Sequence, residues 1–227
     1  MFLPQEAARL HSFFSSMTEF SVVAITSVFF LVDPFAAIPP FLVMTAGADS
    51  NTRRRMARRA SLTCYIVLTA FALAGGAIFK MFGITLPAFE IAGGLILLLI
   101  GIDMLQARRS TQDNPSETEE GSQKEDVGIT PLGIPMLAGP GAISTVMVLM
   151  GASPTLVHAI PILLAIAVTA LASYIILAGA DKVRAKIGET GIRIMMRIMG
   201  LLLTAIAIQF IINGFARLGI ISNVVAS

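Results

Sequence analysis

Charged side chains are scarce in this sequence. Lys, Arg, Asp and Glu make up only 13% of the 227 residues, whereas hydrophobic residues make up 56%. A soluble domain of this size carries about a quarter charged residues. The chain therefore has too little polar surface to cover itself in water, and we expect a lipid bilayer to surround much of it. The formal net charge of +2 is also too small to indicate a nucleic-acid partner.

Reactive and metal-binding side chains are scarce as well. The single cysteine, Cys64, lies in an apolar run, which excludes a disulfide framework. The sequence has no glycine-rich phosphate-binding loop, no His-Glu-x-x-His motif and no Gly-x-Ser-x-Gly motif. We therefore expect no enzymatic activity, no catalytic residues, no metal site and no cofactor. No cleavable signal is recognisable at the N-terminus, so residues 1–18 are expected to form an interfacial segment.

Long apolar runs are abundant instead. A membrane span needs about 20 mostly apolar residues. Six runs of this kind are present: Glu19–Thr45, Ala60–Phe82, Leu86–Leu105, Ile129–Gly151, Val157–Ala180 and Ile192–Phe215. A polar segment, residues 108–127, separates the first three from the last three and is typical of a solvated linker. The sequence thus predicts an all-α membrane protein with six transmembrane helices.

The basic residues predict the orientation of these spans. Thirteen of the 16 Lys and Arg residues fall in the loop after the first span, in the linker, or in and just beyond the loop after the fifth span. A six-span chain has all three regions on one side of the membrane. The positive-inside rule makes that side cytoplasmic and places both termini outside the cytoplasm. We expect a multi-pass protein of the bacterial inner (plasma) membrane.

The two halves of the chain resemble each other. At a fixed offset of 106 residues and without gaps, Asp33-Pro34 falls on Gly139-Pro140, and Gly94 falls on Gly200. We therefore divide the chain into a first repeat (1–107), the linker (108–127) and a second repeat (128–227). Because each repeat has three spans, an odd number, the second copy is predicted to be inverted relative to the first, as in many secondary transporters.

The first helix of each repeat is predicted to be broken. Asp33-Pro34 and Pro39-Pro40 interrupt the first span, and Gly139-Pro140-Gly141 interrupts the fourth. Proline removes a backbone donor, and irregular backbone at membrane depth survives where it lines a cavity. A new half-helix is expected to begin between Pro34 and Pro40 and another near Pro140. Their N-termini, with free N–H groups, would form a binding site for an anionic group such as a carboxylate. The alternative is that these prolines merely kink the helices.

Asp33 is the most informative side chain, because an ionisable group at membrane depth is costly and indicates function. It could hold a coupling ion or a substrate amino group, or it could simply cap the half-helix behind it. Ser144 and Thr145 could donate hydroxyl groups to a substrate, or they could bond back to the preceding turn. We assign candidate coupling roles to Asp33 and Glu90. The candidate substrate-binding residues are those of the two breaks and the hydroxyl residues that follow: Asp33, Pro34, Ala36, Ala37, Pro39, Gly139, Pro140, Gly141, Ala142, Ser144 and Thr145.

Two further patterns predict helix packing. Gly94 and Gly101 are seven residues apart and give the third span a smooth stripe for close contact. Gln209 and Asn213 are four residues apart in the sixth span and are expected to bond to each other or to a neighbouring helix. Small-residue stripes also permit a homo-oligomer.

The motifs around both breaks resemble those of the MarC family of membrane proteins. They are the segment from Val32 to Phe41, Ile91-Ala92-Gly93-Gly94, and the block from Ile129 to Ser144 with its Ala-Gly-Pro-Gly-Ala-Ile core. The similarity extends from about Phe20 to Phe215. The family is grouped with neutral amino-acid transporters, so the resemblance implies a small-molecule substrate of that class and supports the two breaks as the core of the site. Where members often carry Gly-Asn after the first break, this chain has Ala36-Ala37.

The mirrored helix breaks and Asp33 favour a secondary transporter, and the family resemblance implies small neutral amino acids such as glycine and alanine as its substrates. It would be coupled to protons or another cation, or would work as an exporter. One alternative is a passive channel for ions or small solutes, although the rings of charge that line many pores are not evident. The other is a membrane assembly protein without transport activity.

Overall fold

The computed structural model describes residues 3–106, 132–151 and 156–220. Every regular element in these ranges is helical. Seven α-helices follow one another along the chain: α1 (Leu3–Val32), α2 (Ile38–Met44), α3 (Ser50–Phe82), α4 (Leu86–Gln106), α5 (Pro140–Gly151), α6 (Leu156–Ala178) and α7 (Ala180–Arg217). A π-helical turn, Leu132–Leu137, precedes α5.

Four segments of the described residues are long and apolar enough to cross a membrane. They are Ser50–Phe82, Leu86–Gln106, Ala159–Ala178 and Thr190–Arg217. They match the second, third, fifth and sixth predicted spans. The first and fourth predicted spans contain shorter apolar helices instead, Met17–Val32 and Pro140–Gly151, because the chain is broken within both.

Two regions predicted as basic loops are helical. Arg53 and its neighbours lie in the first turns of α3, and Lys182 and Lys186 lie in the first turns of α7. The prediction failed because hydropathy marks only the apolar part of a helix, whereas the helix itself extends into the polar region. Asp49 begins α3 early, since its carboxylate accepts a hydrogen bond from the backbone N–H of Asn51 at 3.2 Å. Within α7, Gly188 has a positive φ of 67° and interrupts the helix before its apolar part. The predicted linker, 108–127, lies outside the described residues.

A continuous apolar core lies among α1, α2, α3, the π-helical turn, α5, α6 and the first part of α7. Its largest members include residues that are almost completely buried: Phe41, Leu68, Leu132, Leu137, Ile162 and Ile166. α6 packs against both α1 and α3, and α5 packs against α1 and α3 as well. The core therefore includes residues next to both helix breaks, among them Ala37, Leu137 and Ala138.

α4 and α7 form the most extensive helix pair. A Cβ atom on Gly94 would lie 2.8 Å from the carbonyl oxygen of Ala207, and one on Gly101 would lie 2.5 Å from Oγ1 of Thr204. Such contacts are shorter than van der Waals distance, so only glycine permits this approach. The glycine stripe of α4 packs closely, as predicted. Gly94 lies next to Ala207, whereas Gly101, later in α4, lies next to Thr204, earlier in α7. The two helices are therefore antiparallel.

Two ion pairs mark opposite ends of α7. Arg53, near the start of α3, pairs with Asp181, near the start of α7. Arg217, at the end of α7, pairs through Nη1 with Oε1 of Glu90, near the start of α4, at 3.2 Å. The starts of α3 and α7 thus share one end of the bundle, and the start of α4 lies at the other end.

Candidate functional site

The first helix break is centred on Asp33. Its φ of 40° is in the left-handed region, which few residues other than glycine adopt and which Asp tolerates better than most. The following residue, Pro34, disfavours a helical conformation at Asp33. The N–H of Asp33 still closes the last turn of α1 by donating to Phe29 O at 3.0 Å. α1 consequently ends at Val32, as the Asp-Pro pair predicts.

α2 restarts the chain at Ile38, within the predicted interval. Pro39 and Pro40 occupy its first turn, where a backbone N–H has no partner inside the helix and proline therefore costs little. Both prolines are buried. α2 has only seven residues, so it resumes the interrupted span as a short helical segment.

The second helix break separates the π-helical turn from α5. Ile134 has extended backbone angles, the Ile134–Pro135 peptide bond is cis, and Ala138 donates its N–H to Gly133 O at 2.9 Å. α5 then begins at Pro140, the predicted position.

Two glycines allow neighbouring helices to approach the second break. A Cβ atom on Gly93 of α4 would lie 2.2 Å from Cβ of Pro140. A Cβ atom on Gly141 would lie 2.2 Å from Cζ of Phe210 on α7. A larger residue at position 93 would push α5 away from α4, and one at position 141 would displace the ring of Phe210.

The two breaks meet at one cavity of about 180 Å³. Asp33, Ala36 and Ala37 line it from the first break, and Gly139 and Gly141 line it from the second. The sequence predicted these five residues as candidates from two segments about 100 positions apart, and the fold brings them together.

The remaining lining of the cavity is apolar. α7 contributes Met199, Leu202, Leu203, Ile206 and Phe210. α1 contributes Phe30, Leu31 and Val32, α4 contributes Leu97 and Met104, and the π-helical turn contributes Met136. The sequence analysis missed all of these residues. The α7 residues are spaced three and four apart on one helix face, but a sequence offers no signal that separates such a face from ordinary packing.

Asp33 carries the charge of the cavity. It is half-buried, and no other residue known to line this cavity is ionisable. Its Oδ1 accepts a hydrogen bond from Ala36 N–H at 3.2 Å, and its carboxylate has no ion pair among the described residues. This hydrogen bond stabilises the turn between α1 and α2, but it does not cap α2, whose N-cap residue Ala37 receives no side-chain hydrogen bond. The predicted capping role is therefore not seen, and the position of Asp33 in the cavity leaves its functional role open.

Six candidate residues do not line this cavity. Pro34, Pro39, Pro140 and Ala142 are buried in the packing around the breaks. Ser144 is also buried and donates its hydroxyl to Gly141 O at 3.1 Å, so its side chain takes the back-bonding alternative. Thr145 lines an adjoining open groove with Thr26 and Ser27, and this groove shares Phe30 and Leu31 with the cavity.

Glu90 is buried away from the cavity. One carboxylate oxygen pairs with Arg217, and the other, Oε2, has no hydrogen-bond partner among the described residues. Its coupling role stays a prediction. Gln209 donates from Nε2 to Oδ1 of Asn213 at 2.8 Å, so these two amides bond to each other, the first of the predicted possibilities.

Comparison with known proteins identifies relatives across nearly the whole chain. The profile of the MarC family of integral membrane proteins matches residues 18–218. A UPF0056 membrane protein of Methanocaldococcus jannaschii is 38% identical over 196 residues, covering 86% of this chain and 96% of the relative. The UPF0056 membrane proteins YvbG of Bacillus subtilis and YhcE of Escherichia coli are 32% and 34% identical, covering 86% and 82% of this chain and 93% and 87% of those relatives. No solved structure matches the chain significantly.

Proposed function

This chain belongs to the MarC family of integral membrane proteins, and we propose that it is a secondary transporter for small neutral amino acids such as glycine and alanine. Asp33, the one described carboxylate that lines the cavity, is suited to bind a coupling proton or another cation. Export is the other mode of transport that the proposal includes. The resemblance of the broken-helix motifs to those of the family supports the substrate class.

One observation carries the proposal: both helix breaks line the same cavity. In secondary transporters with repeats, discontinuous helices form the substrate site near the middle of the bilayer. Non-helical backbone in that position lines a cavity because its polar groups need partners. Here Asp33 offers an acceptor for an amino group, while Gly141, in the first turn of α5, brings backbone to the same cavity.

The proposal includes a six-span arrangement of two inverted three-helix repeats with both termini outside the cytoplasm. The ion pairs support it, because Arg53 and Asp181 share the end predicted to be cytoplasmic, while Glu90 and Arg217 share the other. The antiparallel pairing of α4 and α7, the third helices of the two halves, is also what an inverted repeat requires.

The test is uptake of labelled alanine into proteoliposomes with and without an imposed proton gradient. We expect the gradient to drive accumulation above the external concentration. Asp33→Asn should abolish accumulation, because the amide keeps an oxygen for Ala36 N–H but loses the charge that would bind a proton or an ammonium group.

Asp103→Asn is the matched control. Asp103 is exposed on α4 and is not among the residues that line the cavity, so the same chemical change should leave uptake intact. Accumulation that persists in Asp33→Asn would contradict the role of this carboxylate. Alanine flux that neither saturates nor exchanges across the membrane would indicate the channel alternative, and no alanine flux in folded protein would contradict the substrate class.

A further inference from the structure

The cavity between the breaks has an exposed apolar rim and a buried floor. Phe30 and Leu31 of α1 are 75% and 41% exposed, and Leu202 and Ile206 of α7 are 50% and 44% exposed. The floor residues Leu97 and Met104 are no more than 5% exposed. α1 and α7 border the cavity but are not an extensively packed pair. The cavity therefore opens sideways between these helices, on an apolar surface that faces lipid in an integral membrane protein.

The electrostatics of the cavity favour a cation. Asp33 is its only described ionisable residue and has no basic partner among the described residues. A carboxylate that is withdrawn from water without a counter-charge is costly, and a bound cation offsets that cost. Equally, no described Lys, Arg or His side chain lines the cavity to bind a carboxylate of the ligand.

The other lining residues suit an apolar body next to that cation. The thioethers of Met104, Met136 and Met199 are polarizable and adapt to irregular shapes. The rings of Phe30 and Phe210 can contact alkyl groups and can attract an ammonium group through their faces.

We propose that this cavity binds organic ammonium ions with an apolar body, which enter from the bilayer through the rim and bind with the ammonium group at Asp33. A monoamine should bind more tightly than a zwitterion, because the described lining offers a carboxylate for the ammonium group but no basic side chain for a ligand carboxylate. This binding does not depend on the proposed amino-acid transport and extends the ligands of the cavity to a second chemical class.

Calorimetric titration of the full-length protein in detergent tests the proposal with small probes. n-Butylammonium is compared with 1-butanol, its neutral analogue, with methylammonium, which lacks the apolar body, and with norvaline, a zwitterion with an apolar side chain. We expect n-butylammonium to bind about tenfold or more tightly than each of the other three. 1-Butanol lacks the cation that Asp33 and the aromatic rings attract, methylammonium has three fewer CH₂ groups to bury, and norvaline brings a carboxylate for which the described lining offers no basic partner. This comparison uses the unmodified protein, so it does not depend on whether a variant folds.

Asp33→Asn should remove the preference for n-butylammonium over 1-butanol, and Asp103→Asn should retain it. Four outcomes would each overturn the proposal. The first three concern the natural chain: no binding of n-butylammonium, equal binding of 1-butanol, or tighter binding of norvaline or methylammonium. The fourth is an unchanged preference in Asp33→Asn. Alanine uptake is measured on the same preparation, so that failure of this inference can be distinguished from failure of the proposed function. Uptake without n-butylammonium binding would reject only the present inference, and binding without uptake would reject only the transport of amino acids.

Discussion

At the scale of single residues, Asp33 combines a backbone role and a side-chain role. Its left-handed conformation ends α1, and its carboxylate both bonds to Ala36 N–H and lines the cavity. Glycine could adopt the same backbone angles without strain, but it would supply neither the hydrogen bond nor the charge. The position thus explains why an acidic residue can stand within an apolar span.

The glycines beside the second break have no space for a side chain. Gly93→Ala places a methyl group 2.2 Å from Cβ of Pro140, so α4 and α5 must separate. We expect this overpacking to lower stability by about 1–3 kcal/mol and to reduce alanine uptake, because Pro140 begins the helix that borders the cavity. Thermal unfolding in detergent measures the first effect and proteoliposome uptake the second.

Gly76→Ala on α3 is the control for this prediction. A Cβ atom there meets nothing within 4 Å, and alanine favours a helix more than glycine does. Its stability should therefore be unchanged or raised. An equal loss of stability in the two variants would show that the contact with Pro140 is not the cause.

At the scale of elements, local chemistry decides where each helix begins and ends. The break after α1 follows from Asp33-Pro34, α5 begins with proline, and Gly83 ends α3 with a positive φ of 65°. Asp49 begins α3. A hydrogen bond with the Thr52 side chain, together with backbone N–H groups that include Asn51, holds the pKa of the Asp49 carboxyl below its usual value despite opposing desolvation.

This cap predicts a pH-dependent contribution to stability. A carboxyl whose pKa is lowered by folding stabilises the folded state above its unfolded pKa, near 3.9, and the contribution is lost as the pH falls through the lower folded value. Asp49→Ala should therefore unfold at a lower temperature than the natural chain at pH 7, and the difference should shrink under strongly acidic conditions. Thermal unfolding followed by circular dichroism measures both.

Asp49→Asn keeps an oxygen acceptor without a titrating group. Its unfolding temperature should lie above that of Asp49→Ala at pH 7, and its advantage over Asp49→Ala should not change with pH in the acidic range. A difference between the natural chain and Asp49→Ala that stays constant from pH 7 to pH 3 would argue against the cap as the source.

At the scale of the whole molecule, the antiparallel α4–α7 pair closes one side of the cavity, and the two ion pairs hold opposite ends of the bundle. The proposed six-span topology places these ends on opposite faces of the membrane. Ser50 at the start of α3 and Thr85 before α4 are both exposed and lie at the two ends of the apolar helix α3.

Cysteine labelling tests that arrangement. Cys64 is fully buried, and Cys64→Ala provides a cysteine-free background. A membrane-impermeant maleimide should label Thr85→Cys in intact cells, whereas Ser50→Cys should react only after permeabilisation, because the basic residues of α3 place its start in the cytoplasm. Labelling of both positions, or of Ser50→Cys alone, in intact cells would reject the proposed orientation.

The sequence by itself determined the helical class, the family, and the points at which α1 and the fourth predicted span are interrupted. These features depend on hydropathy and on the local effects of Asp33, Pro34, Gly139 and Pro140, which act within a few residues of their position. The family is confirmed by the comparisons, and the inverted six-span repeat stays a prediction.

Only the tertiary structure decided which residues share a cavity and which charges pair. Met136, Met199 and Phe210 have the same apolar character as core residues, and their location depends on how α7 packs against both breaks. Glu90 gives no sign in the sequence that its partner is Arg217, more than 100 residues away. Contacts of this range arise from the packing of whole helices, so the pattern along one segment does not encode them.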